Sequence, residues 1–256
     1  MTQDLRILVT GGASGIGYGI AEHLGKQGAT IVLTDLFQES LDAAQAKLKE
    51  VGVEAKTVQA DISKVDQINA MVESLKDDKI NVLVNSAGLQ HVSPLEDFPP
   101  EKWQLLIDVM LVGPAMLTRA LMPGMREQGY GRIVNIGSIH GLVASPFKSA
   151  YVAAKHGLLG FSKTIALETG DVDITINTLC PSYVNTPLVE KQIADQARTR
   201  GISEDEVVNE VMLKPMPKKA FIGMDEMAEL INYLASPAGK NVTGQALTLD
   251  GGWVAQ

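Results

Sequence analysis

Arg6-Ile7-Leu8-Val9-Thr10-Gly11-Gly12-Ala13-Ser14-Gly15-Ile16-Gly17 is the stretch whose reading decides the fold. A short aliphatic run ends in a glycine-rich turn, and the residues after the turn carry helical period. Ile16, Ile20 and Leu24 recur four apart, which places them on one helix face able to pack on a sheet. Glycines permit a tight turn and close backbone approach, while the helix amino end offers unpaired N–H groups and the positive end of a dipole. Strand, turn and helix in that order suit the pyrophosphate of a dinucleotide. Thr10, Gly11, Ser14, Gly15, Ile16 and Gly17 are therefore the first candidate cofactor contacts.

Working outward, β-branched runs recur at Thr30 to Asp35, Val53 to Ala60, Ile80 to Asn85, Arg132 to Ile136, Ile174 to Leu179 and Ala246 to Leu249, with helical segments between them. Unbroken apolar strands such as Val82-Leu83-Val84 imply burial on both faces, as in a parallel sheet covered by helices. The expected fold is α/β: a Rossmann-type doubly wound parallel sheet in three layers, α/β/α. One NAD-binding domain is expected over residues 1–256. The charged stretch 187–223, bounded by Pro and Gly, reads as a small helical lid.

Ligands of such sheets bind at the carboxyl edge of the strands. Asp35 ends the second strand, where its carboxylate can accept bonds from a ribose diol and repel a 2′-phosphate, which favours NAD over NADP. Read alone, Asp35 also suits the cap of the next helix. Asp61 with Ile62, and Asn85-Ser86-Ala87-Gly88, end two further strands at the same edge.

The net charge is 22 − 30 = −8, which argues against nucleic acid and anionic membranes as partners. The notable runs fall short of the roughly 20 apolar residues of a membrane span, and Met1 to Arg6 lacks the pattern of a secretion signal, so the expectation is cytoplasmic. The single cysteine, Cys180, cannot form an internal disulfide. No histidine and carboxylate cluster has metal-ligand spacing, so the expected metal content is none.

Tyr151 and Lys155 lie one helical turn apart, so the ammonium can sit near the phenol and favour its ionised form. That would make Tyr151 a usable proton-transfer group. Ser138, just past the strand ending at Ile136, reaches the same sheet edge and can hydrogen-bond a substrate oxygen.

Together, the glycine turn, Asn85-Ser86-Ala87-Gly88, Ser138 with Tyr151-x-x-x-Lys155, and Pro181-Ser182-Tyr183-Val184-Asn185-Thr186 resemble the short-chain dehydrogenase/reductase family over essentially the whole chain. The resemblance implies catalysis by Ser138, Tyr151 and Lys155, with Tyr151 as acid/base. It also implies cofactor contacts from Asp61, Ile62, Asn85, Ala87, Gly88, Tyr151, Lys155, Val184 and Thr186, and a homotetramer. Ser86 and Ser182 depart mildly from the family pattern. Met110 stands where the family commonly carries an asparagine, and a thioether cannot donate a hydrogen bond.

Within that family, Gly88-Leu89-Gln90-His91-Val92-Ser93-Pro94, Ile139-His140-Gly141-Leu142-Val143-Ala144-Ser145, Lys148-Ser149-Ala150-Tyr151 and Lys191-Gln192-Ile193-Ala194-Asp195-Gln196 resemble the members that oxidise 3-hydroxybutyrate. That resemblance implies a small hydroxy/keto acid substrate, with its carboxylate held by Gln90, His140, Lys148 and Gln192 beside Ser138 and Tyr151. A small anion in a closed site needs a cation and several donors to replace its water. Singly, each has a plainer reading: Lys148 as a solvated loop charge, His140 as a turn histidine, the glutamines as surface polars. Two alternatives remain, a short-chain reductase for another small hydroxy/keto substrate and a catalytically silent NAD-binding scaffold.

Overall fold

The computed structural model describes residues 5–255, with every side chain among them except those at positions 187, 188, 191, 192, 195 and 199. Seven strands form one parallel sheet: β1 (Arg6–Thr10), β2 (Thr30–Asp35), β3 (Ala55–Gln59), β4 (Val82–Asn85), β5 (Tyr130–Ile136), β6 (Asp173–Pro181) and β7 (Ala246–Leu249). Their order is β3-β2-β1-β4-β5-β6-β7. The chain winds outward from β1 to β3, then returns to lay β4 on the other side of β1. Neighbouring crossovers diverge there, and a crevice opens at the carboxyl ends of β1 and β4.

Alternation along the strands divides the core. Ile7, Val9, Ile31, Leu33, Val82 and Val84 bury one sheet face against helices α1 (Gly15–Lys26) and α2 (Gln38–Glu50), joined late in the chain by α9 (Met224–Ala235). Leu8, Val32, Leu83 and Ile133 bury the other face beneath α3 (Val65–Ser74), α4 (Pro100–Ile107), α5 (Gly113–Gln128) and α6 (Ser149–Glu168). This gives the three layers the strand pattern predicts.

Helices α4 and α5 are continuous through a π-helical turn, Asp108–Val112. The run Pro100–Gln128 is long and apolar enough, by length and composition, to cross a membrane, which corrects the expectation that no such stretch exists. Just under half of its most apolar part is buried inside this fold, where α5 packs on α3 and β5. It is the core helix of a layered α/β protein.

The stretch after β6 leaves the sheet as α7 (Pro187–Arg200) and the short α8 (Glu204–Glu206), which continues into a π-helical turn, Val207–Met212. A parallel bridge between Val184 and Ile222 closes its base. Val189, Val207 and Met212 form its own small apolar centre with Tyr183 and Phe221. The excursion therefore folds over the carboxyl edge as a separate patch.

Candidate active site

The crevice encloses about 560 Å³ and runs from the glycine turn to the end of α6. At its first end the turn does what the glycines allow. Gly11 has φ +62°, and a side chain there would meet the Ala87 backbone at 2.8 Å; one at Gly17 would collide with the Gly11 carbonyl. Thr10 Oγ1 accepts the N–H groups of Ser86 and Ala87 at 3.0 and 3.1 Å, which ties this turn to the end of β4. Ser14 makes no side-chain capping bond, so no cap from it covers the first-turn N–H groups of α1. An anion suits that position.

Asp35 is oriented by two backbone donors, Ala13 N–H at 3.1 Å and Leu36 N–H at 2.8 Å. Asp61 accepts from the Ser63 N–H and hydroxyl. Gly11, Ser14, Gly15, Ile16, Gly17, Asp35, Asp61, Ile62, Ala87, Gly88, Val184 and Thr186 all line the crevice. Close-approach glycines, a bare helix amino end and an oriented carboxylate fit a dinucleotide.

Two of the expected cofactor contacts are not on the wall. Thr10 and Asn85 are buried behind it, Thr10 holding the Ser86-Ala87 turn and Asn85 donating to Asn135 Oδ1 at 2.8 Å. Their side chains point into the sheet's α6 face because they share strand parity with Leu8 and Leu83.

At the other end, Ser138 follows β5 in extended backbone, and its Oγ accepts the His140 N–H at 3.1 Å. Tyr151 and Lys155 project from α6 into the same space. Lys155 Nζ donates to the Ile136 carbonyl at 2.6 Å and lies 5.6 Å from the Tyr151 ring centre. Burial holds Lys155 down to about 8. Burial also pushes the Tyr151 phenol above its ordinary range, with a hydrogen bond to Ser138 acting against it. The sequence pointed to a lowered phenol; in the protein alone, desolvation outweighs the hydrogen bond to Ser138.

Gln90, His140 and Lys148 line the same crevice, the His140 ring 6.3 Å from that of Tyr151. Burial, followed by the nearby Lys148 charge, lowers His140 to about 4, and its Nδ1 is buried without a partner. At neutral pH it is a neutral imidazole, with a backbone hydrogen bond at Val143 acting against the shift. Burial also lowers Lys148. Gln192 belongs to α7, but its side chain lies outside the described residues.

Sequence reasoning gave no role to two aromatics that complete this end, Tyr183 and Trp253. The Trp253 ring lies 6.2 Å from His140 and 6.1 Å from Tyr183. Its placement has a local cause. Gly251 and Gly252 both take positive φ, and the Asp250 carboxylate accepts the Gly252 and Val254 N–H groups at 2.9 and 2.8 Å, turning the chain back on the crevice. The Asp-Gly-Gly turn signal was available in the sequence.

Met110 sits within the π-helical turn, buried one layer behind Leu105 and Val109, which do reach the crevice. Its Sδ packs 3.8 Å from where a side chain on Gly88 would begin. Cys180, fully buried, is raised to about 11 chiefly by desolvation. Among the described residues no group of histidines, cysteines and carboxylates could hold a metal ion.

A phosphate-cradling turn at a sheet switch point, facing a Ser, Tyr and Lys constellation, defines a class, and the chain belongs to it: the short chain dehydrogenase family, whose model matches residues 6–197. It is an oxidoreductase with a crevice suited to a nicotinamide dinucleotide. Among curated relatives, the D-beta-hydroxybutyrate dehydrogenase of Rhizobium meliloti is 49% identical over 97% of this chain and 98% of its own length. The D-beta-hydroxybutyrate dehydrogenase of Cupriavidus necator is 44% identical over 97% of each chain. Among solved structures, a variant of actinorhodin polyketide ketoreductase with NADPH superposes with a TM-score of 0.92 at 33% identity, covering 100% of this chain and 99% of that one.

Proposed function

We propose that this protein catalyses the reversible, NAD-dependent oxidation of D-3-hydroxybutyrate to acetoacetate. The observation that carries the reading is that Gln90, His140 and Lys148 line the same crevice as Ser138 and Tyr151, with the Lys148 charge close enough to act on His140. It offers one cation, one neutral imidazole and one amide to a carboxylate. Both named dehydrogenase relatives point the same way. Asp35, fixed by two N–H donors, favours a ribose diol over a 2′-phosphate and hence NAD.

Bound NAD supplies the hydride acceptor. Ser138 holds the substrate oxygen, and the Tyr151 phenolate takes the hydroxyl proton as the carbon loses hydride; reduction runs the same transfers backward from the phenol. Lys155 places positive charge by the ring and favours the phenolate. Lys148 neutralises the substrate carboxylate, Tyr183 and Trp253 shield it from water, and Gln192 joins when the lid closes. The chain acts as a single domain and works in the cytoplasm. It assembles as a homotetramer, as the family resemblance implies.

Initial rates of NADH formation over a panel of short hydroxy acids, polyols and acyl thioesters test the reading. D-3-hydroxybutyrate with NAD should lead the panel. A polyol or thioester in that place, or no turnover at all, would replace it with the broader reductase or the silent scaffold. Tyr151→Phe should lower kcat by about 10²- to 10⁴-fold. It should also abolish the rise of oxidation rate with pH.

A further inference from the structure

The register of the sheet sets one row of polar side chains abreast. Thr34, Thr10, Asn85, Asn135 and Thr178 occupy partnered positions on β2, β1, β4, β5 and β6. All five are buried, and all share strand parity with Val32, Leu8, Leu83, Ile133 and Ile176, the core beneath α6. A polar row inside an apolar layer is costly unless its groups are bonded.

The bonding converges on α6. Asn85 Nδ2 donates to Asn135 Oδ1 at 2.8 Å, and Asn135 Nδ2 donates to Ser162 Oγ at 2.9 Å. The single hydroxyl proton of Ser162 goes to the Leu158 carbonyl at 2.8 Å, so the Thr178 hydroxyl, 2.9 Å away, is the donor in the remaining contact. Ser162 thus receives two bonds and gives one. At the opposite end of the row Thr34 Oγ1 has no partner, nor does Asn85 Oδ1 at its centre, while Thr10 Oγ1 accepts the Ser86 and Ala87 N–H groups.

Ser162 lies two helical turns beyond Lys155, on the same side of α6. Lys155 is bonded to the carbonyl of Ile136, the residue after Asn135 on β5. Two bonds two turns apart therefore fasten α6 to β5. A helix pinned at one point can still rotate or slide; pinned at two, it cannot. Asn135 and Ser162 do not line the crevice.

We propose that Asn135 and Ser162 are positioning residues: their buried bond fixes the height and rotation of α6 on β5 and so sets where Tyr151 and Lys155 stand relative to Ser138. This rests on Tyr151 and Lys155 being the catalytic pair. The groups around Tyr151 are Lys155 from α6, Lys148 just before that helix, Ser138 and His140 from the segment after β5, and Cys180 from β6. If α6 shifts, Tyr151 and Lys155 move together away from Ser138, and loss of the Ser138 hydrogen bond that lowers the phenol raises its pKa.

Ser162→Ala should fold and lower kcat about tenfold, a scale expected for small misplacement of reacting groups. Its KM for the hydroxy acid should change by about twofold or less. The pH midpoint of the oxidation rate should move alkaline. Asn135→Ala should act alike, and the double variant should be no slower than the slower single one, because both lose the same bond. A Ser162→Ala protein with normal kcat and pH midpoint but a lower Tm would overturn the proposal, as would effects on kcat that multiply in the double variant. Tyr151→Phe, measured in parallel, separates the two levels. An active Tyr151→Phe would bring down the catalytic reading itself, whereas an inactive one beside a kinetically normal Ser162→Ala would bring down only the positioning role.

Discussion

Removing the charge of Lys148 tests the substrate end most directly. Two lysines line the crevice, and Lys155 is already bonded to Ile136 behind Tyr151; His140, lowered to about 4, is uncharged at neutral pH. Lys148 is therefore the cation left for a substrate carboxylate. Two unit charges about 4 Å apart at an effective dielectric near 20 attract by about 4 kcal/mol. The partial exposure of Lys148 screens this to roughly 2–3 kcal/mol, within the range measured for desolvated charge pairs. Lys148→Ala should accordingly lower kcat/KM for D-3-hydroxybutyrate by roughly 30- to 150-fold, at about 1.4 kcal/mol per decade. Lys148→Gln, which keeps a donor without charge, should fall between the two. The assay is initial rates with the acid and with its methyl ester, which has the same shape but no charge. The ester should be a poor substrate for the unaltered enzyme and should lose little more with Lys148→Ala. Equal losses for acid and ester, at unchanged Tm, would show that Lys148 shapes the crevice and does not read the carboxylate.

Three further outcomes follow from the same geometry. Asp35→Asn should keep the turn but narrow the preference for NAD over NADP by about tenfold, because the charge opposing a 2′-phosphate is gone; unchanged cofactor ratios would move that discrimination elsewhere. His140 sits at about 4 in the fold against 6.5 outside it, so the unfolded chain binds more protons between these values and stability is lost as pH falls through that window. About 2–3 kcal/mol should disappear between pH 6.5 and 4, and His140→Gln should flatten that part of the curve in denaturant titrations; an unchanged slope would refute the buried neutral imidazole. Met110→Asn places an amide in an apolar layer against Gly88, so Tm should drop by the cost of an unpaired buried group, about 1–3 kcal/mol, with only modest kinetic change. A large gain in kcat would instead mean that proton relay limits the natural enzyme.

The strands and the glycine turn were legible because their signals are local. β1, β2 and β7 fall where the aliphatic runs put them, while β5 and β6 extend by up to two residues at an end, because edge residues such as Tyr130 and Asp173 pair in register without being apolar. The polar residues at the strand ends were visible as a group, but parity decides which of them face the crevice. Thr10 and Asn85 were read as cofactor contacts, and their side chains point beneath α6, a distinction of one residue that the pairing register supplies. Trp253 was missed for the opposite reason: its turn signal is local, yet its neighbours, His140 and Tyr183, are distant in sequence. The lid was marked by Pro and Gly, whereas its small apolar centre joins Val189 to Met212 and Phe221 through tertiary packing. The Asn135 to Ser162 bond left no mark at all, since a serine within a helix announces neither its depth nor its partner.

The raised, fully buried thiol of Cys180 makes the protein's one cysteine chemically silent while the fold is closed. A thiolate is the species that alkylating reagents capture, and at neutral pH almost none exists at this position. Because Cys180 lies on β6 under Ser138, reagent can reach it only when the sheet parts from the catalytic segment. The labelling rate of this single sulfur would therefore be a clock for opening of the catalytic half, needing no turnover and readable by mass alone.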